Sequence, residues 1–228
     1  MKAFHGSDET KQLYLERVRA YAAADELIHG TYWENGRGRG VGCTLHSVDH
    51  RAYESELGIP AVLAHLEDRI FDGLPPDRAK LWPEQFLSSI GVGADLSGIW
   101  PQFAVWLLTD PEHGVIRFAD DRSAPIITAI ADWYRGPMTD LDEIRRLSSD
   151  AFTVYAAAAD AAYADAADAA YADAADAADA VYVAYAAAAY TAQADKLLSL
   201  LAADAADAGA SYTAQADKLL SLMREWEE

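Results

Sequence analysis

The chain has one cysteine in 228 residues, Cys43, so it closes no disulfide within itself and fits a reducing compartment. Long apolar runs are missing. No stretch approaches the roughly 18 uncharged apolar residues of a membrane-spanning helix, and the opening MKAFHGSDETKQ has no apolar segment of the secretory-signal kind. A cytoplasmic protein that does not engage membrane is the expectation. Phosphate-loop (G-x-x-x-x-G-K-[ST]) and zinc-protease (H-E-x-x-H) motifs are also missing. Positive charge is scarce: 18 Lys and Arg stand against 37 Asp and Glu, for a net charge of −19. Such a surface repels nucleic acid and anionic lipid and favours basic protein surfaces or cations. Finally, no glycine or proline interrupts Ala151 to Tyr190.

The larger apolar residues concentrate before about residue 150, which places a conventional core there. Ser7 and Asp8 cap a helix expected to run to about His29, with Gly30 ending it. The glycine-rich WENGRGRGVGCTLHS follows as the most loop-like segment, with room for one short strand over 41–48. Short helices then succeed one another over 50–57, 60–71, 76–90 (bent or begun again near Pro83), 97–109, 123–135 and 139–149, with 112–118 as an extended connection. No period-two alternation is sustained. The expected class is all-α: a multi-helix globular domain over 1–150, then a long Ala/Asp/Tyr-rich helix or helical hairpin within 151–228. Trp33, Trp82, Trp100, Trp106 and Trp133 are expected to serve the core.

The region 151–228 carries 13 acidic and three basic residues, more than half of the net charge in a third of the chain. Alanine is the strongest helix former, and YADAADAA occurs twice in tandem, at Tyr163–Ala170 and Tyr171–Ala178. At about 100° per residue, Tyr163, Tyr171, Val181, Tyr182 and Tyr185 share one arc. Asp165, Asp168, Asp176 and Asp179 share another, with Asp173 near its edge. Six aspartates between Asp160 and Asp179 give roughly one charge per 5 Å of helix, against about one per 1.7 Å of duplex DNA. One helix is too dilute to imitate DNA but suits docking on a basic protein. A second repeat is identical over eleven residues: YTAQADKLLSL at Tyr190–Leu200 and again at Tyr212–Leu222, 22 residues apart. Gly209 is expected to break the chain between the copies, and the closing MREWEE to be an exposed helix end.

The one cluster with metal or nucleophile chemistry is Cys43-x-x-His46-x-x-Asp49-His50. If His46 and His50 share a helix, their i,i+4 spacing puts both on one face, as two ligands of a divalent metal require. Cys43, Asp49 or the later Glu67–Asp68 pair would supply a third. The adjacent Glu67 and Asp68 point about 100° apart on a helix and do not face a common centre, so a local ion pair with His65 or Arg69 on the same helix is their expected use. Arg37 and Arg39 in the glycine-rich loop have the chemistry to meet an anion.

WENGRGRGVGCTLHS, ELGIPAVLAHLEDRIFDGLP and WPEQFLSSIGVGADLS resemble segments of a group of uncharacterised bacterial and prophage-associated proteins with Ala-rich C-terminal tails. The resemblance covers about residues 30–110 and the composition of the tail. It implies a mobile-element setting, in which small acidic proteins without enzyme motifs act by binding and blocking host machinery. The leading expectation is therefore a non-enzymatic protein-binding inhibitor without a cofactor. It would be directed at a basic, nucleic-acid-handling defence protein such as a CRISPR or restriction complex, with Asp165, Asp168, Asp173, Asp176 and Asp179 as contact charges. One alternative is a metal-dependent hydrolase built on Cys43, His46 and His50. Another is a self-associating helical protein with Tyr163, Tyr171, Tyr182 and Tyr185 at a homo-oligomer seam.

Overall fold

A computed structural model describes residues 1–31, 33–162 and 205–225. Asp165, Asp168, Asp173, Asp176, Asp179, the tyrosine arc and the first YTAQADKLLSL copy lie outside these residues. The described chain is all-α, with ten α-helices and one two-residue-per-strand hairpin. Among the described residues no helix is long and apolar enough to cross a membrane. Two compact units divide the chain: Met1–Trp100 with Ala205–Glu228, and Pro101–Asp204.

The first unit begins with a 3-10 turn at Ala3–Gly6 and helix α1 (Asp8–Ala24). The Ser7 side chain accepts from the Thr10 amide, the N-cap expected from the sequence. The helix stops five residues before Gly30 because Asp25 turns left-handed at φ 60°. The amides of Asp25 and Glu26 then close on the Ala22 and Tyr21 carbonyls. Strands β1 (Trp33–Glu34) and β2 (Arg37–Gly38) pair antiparallel around an Asn35-Gly36 turn.

The segment expected as a strand over 41–48 is instead helix α2 (Gly40–Leu45). Its six residues are all buried rather than alternating, and Cys43 N donates to the Arg39 carbonyl at 2.9 Å. The physical reason is close packing on α4. A Cβ on Gly40 would sit 2.6 Å from Glu67 Oε1, so only glycine lets the backbone come this near.

Helices α3 (Ala52–Leu57), α4 (Ala61–Gly73), α5 (Pro76–Ala79) and α6 (Trp82–Ser88) follow. Pro60 stands at the N-cap of α4, and Pro83 lies in the first turn of α6, where the helix begins again as expected. Helix α1 packs on α2 and α6, and α4 packs on α2, α3 and α6. Tyr53, Leu57, Leu63, Ile70, Phe71, Trp82, Phe86 and Leu87 are fully buried, each worth about 1.5–3 kcal/mol for a Leu- or Phe-sized side chain. Of the five tryptophans assigned to the core, only Trp82 is fully enclosed; Trp33, Trp100, Trp106 and Trp133 are half-buried.

Helix α10 (Ala205–Glu225) completes this unit and packs on α4. It runs through Gly209, so the expected break is not there. Of the closing MREWEE, Met223 is buried while Arg224 and Glu225 are exposed; the last three residues lie outside those described. The Tyr212 ring covers Gly73, where a Cβ would lie 2.2 Å from it.

Helix α7 (Ile99–Thr109), which lies in the second unit from Pro101 on, leads to a 3-10 turn at Val115–Phe118 where an extended connection was expected. Helices α8 (Ser123–Arg135) and α9 (Leu141–Ala162) pack on each other. Ile127, Ile130, Ala131 and Tyr134 are buried on α8, and Ile144, Leu147 and Ala151 on α9, at helical three- and four-residue spacing. Ahead of α8 the Asp120 carboxylate accepts from the Ser123 amide and hydroxyl, which hold its pKa down to about 2.

Candidate functional site

Helix α4 carries an inward stripe of Leu63, Ala64, Glu67, Asp68, Ile70 and Phe71. Two carboxylates thus occupy positions that the helical period assigns to the core, and both are buried. They diverge, as adjacent helix positions must. Glu67 Oε2 accepts from the Tyr53 hydroxyl at 2.5 Å, while Oε1 is buried without a partner and faces Gly40. Burial, and then the charge of Asp68, push the Glu67 carboxyl well above its ordinary range, against the opposing hydrogen bond from Tyr53. Burial raises the Tyr53 phenol as well.

Asp68 ties two neighbouring segments together. Its Oδ1 accepts from the Val41 amide at 3.0 Å, and its Oδ2 lies 2.9 Å from His50 Nε2. The exposed His65 ring stacks on His50, with centroids 4.1 Å apart. Trp82 Nε1 donates to the Glu67 carbonyl at 2.9 Å. Glu67 and Asp68 thus belong to a buried cluster with partners earlier in the chain. Asp68 reaches His50 18 residues earlier, and Glu67 reaches Tyr53.

The cysteine–histidine cluster does not converge. Helix α2 ends at His46, whose backbone turns left-handed at φ 56°, so His46 and His50 share no helix. His46 Nε2 lies 2.9 Å from the Tyr21 hydroxyl, and its ring stacks on Trp33 at 5.0 Å. His50 turns instead to Asp68. Cys43 is enclosed, its thiol 3.4 Å from the Gly38 carbonyl, and burial pushes its pKa up to about 12. A thiol in that state is a packing group rather than a nucleophile. Among the described residues no three His, Cys, Asp or Glu side chains gather as a metal site would require. Arg39 pairs with Asp72 at 2.7 Å, while Arg37 stands exposed on β2.

A cleft of about 390 Å³ opens between α5, α6 and α10, lined by Arg78, Gln85, Ser88, Asp217 and Arg224 among others. The Arg78–Asp217 ion pair spans it at 2.7 Å. Sequence reasoning missed both this cleft and the buried acids. The acids left a signal in their position on the Leu63–Phe71 stripe. The cleft left none, because its two walls are 139 residues apart at that ion pair.

No family model, curated protein or solved structure matches the chain.

Proposed function

We propose that the protein is a non-enzymatic, stoichiometric binder whose acidic Ala-rich region engages a basic surface of a nucleic-acid-handling protein. It would act there as a mobile-element inhibitor of a bacterial defence complex does. The observation that carries this reading is the charge: −19 overall, with 13 acidic against three basic residues in 151–228. A field of that sign steers a basic partner and repels nucleic acid itself. The state of the reactive side chains supports it. Cys43, His50, Glu67 and Asp68, the groups best suited to chemistry, are buried and take part in internal contacts.

The test replaces Asp165, Asp168, Asp173, Asp176 and Asp179 together with Asn and compares capture of basic proteins from bacterial lysate. The native chain is expected to retain a nucleic-acid-handling protein that the five-Asn variant loses, at unchanged helix content by circular dichroism. Equal capture by both chains would refute the assignment of these residues.

A further inference from the structure

The groove that seats α10 is built for the second copy of the repeat, and the chain holds two copies. Within α10 the buried residues are Gln215, Ala216, Leu219, Leu220, Leu222 and Met223. Tyr212 covers Gly73, Asp217 pairs with Arg78, and the Ser89 hydroxyl lies 3.2 Å from Met223 Sδ. All of these contact positions except Met223 fall inside YTAQADKLLSL. The first copy repeats them without a change: Tyr190, Gln193, Ala194, Asp195, Leu197, Leu198 and Leu200. The position equivalent to Met223 is Leu201, an apolar exchange of similar volume that a core tolerates well. The exposed Arg224 corresponds to Ala202.

We infer that the groove on α4, α5 and α6 is a docking site for either copy, and that Tyr190–Leu200 of the same chain is its second occupant. Each chain offers one groove and two segments that fit it. Seating the first copy would replace every side chain the second copy contributes within the repeat, including the partner of Arg78. The 27 residues from 163 to 189 have a contour of about 90 Å when extended, far more than the roughly 30 Å width of a small domain. Chain length therefore does not prevent the exchange. With the first copy seated, the residues beyond Leu201 leave the groove as a free acidic arm. A neighbouring chain also carries a spare copy, but the tether holds the copy of the same chain at a higher effective concentration, which favours it as the occupant. This inference rests on the repeat and the groove and is independent of the proposed binding function.

Thermal unfolding of the full-length protein tests it with three variants. L219D/L220D disables the second copy, L197D/L198D the first, and the quadruple variant both. Either double variant is expected to shift the midpoint by less than about 4 °C, and the quadruple variant to lower it by more than about 10 °C. The decisive chain is L219D/L220D. If its midpoint falls as far as that of the quadruple variant, the first copy does not take the seat. An unchanged midpoint in the quadruple variant would show that the groove needs neither copy, and would also overturn the inference. Sedimentation of L219D/L220D should give a monomer; a stable dimer would overturn the assignment to the same chain.

Discussion

Glu67 is a carboxyl in the middle of an apolar stripe, with one oxygen held by Tyr53 and the other facing Gly40. Its raised pKa has a definite consequence for stability. Above the ordinary Glu value of 4.5, the unfolded chain releases a proton that the folded chain keeps. The stabilisation is full below that pH and is lost as pH rises through the raised folded value. Glu67→Gln removes the titration. Denaturant unfolding between pH 5 and pH 8 should show the native protein losing stability relative to the variant as pH rises. Parallel pH profiles would mean that Glu67 ionises normally in the fold. That two acids lie side by side at 67 and 68 was legible in the sequence, as was their divergence. Their burial was not, because nothing local announces that Tyr53 and His50, 14 and 18 residues away, supply the partners. The Cys43, His46 and His50 spacing misled for a related reason. Their separation fits one helix face only while the helix continues, and it stops at His46.

At the scale of elements, caps and prolines carried the reading furthest. Ser7 starts α1, Pro60 and Pro83 mark α4 and α6, and the short helices expected over 50–57 and 123–135 are Ala52–Leu57 and Ser123–Arg135. The helix at Gly40–Leu45 was missed because the glycines at 36, 38, 40 and 42 give WENGRGRGVGCTLHS a loop-like composition. In the fold Gly40 serves the close approach of α2 to α4, whereas Gly36 supplies the left-handed turn at φ 81°. The seat of α10 depends on a second such approach, at Gly73. Gly73→Ala drives a methyl into the Tyr212 ring and should cost about 1–3 kcal/mol, the usual penalty for overpacking. Tyr212→Ala in the same chain should recover part of that loss, a coupling that equilibrium unfolding of the double-mutant cycle measures. Additive losses would show that the ring does not sit over Gly73. The ion pair Arg78–Asp217 beside it is exposed, so it adds direction rather than much energy, about 0–1 kcal/mol.

For the whole molecule, the all-α class follows from the lack of alternation together with repeated caps, and the described residues have that class. The return of the last helix to α4 was beyond sequence reasoning. An amphipathic face states that something covers it, not which element does. The duplicated segment supplied the missing information only once one copy was seen in its groove. Charge remains the property on which the functional account stands, and it makes a quantitative demand. Binding driven by an acidic surface must weaken as salt screens it, the screening length falling from about 10 Å at 0.1 M to about 3 Å at 1 M. The most direct test is the affinity of the full chain for the basic protein it is proposed to bind, measured across that range of ionic strength. The account predicts a steep and continuous loss of affinity with salt. Affinity that holds steady would place the binding energy in apolar contacts and contradict the central role of the acidic region.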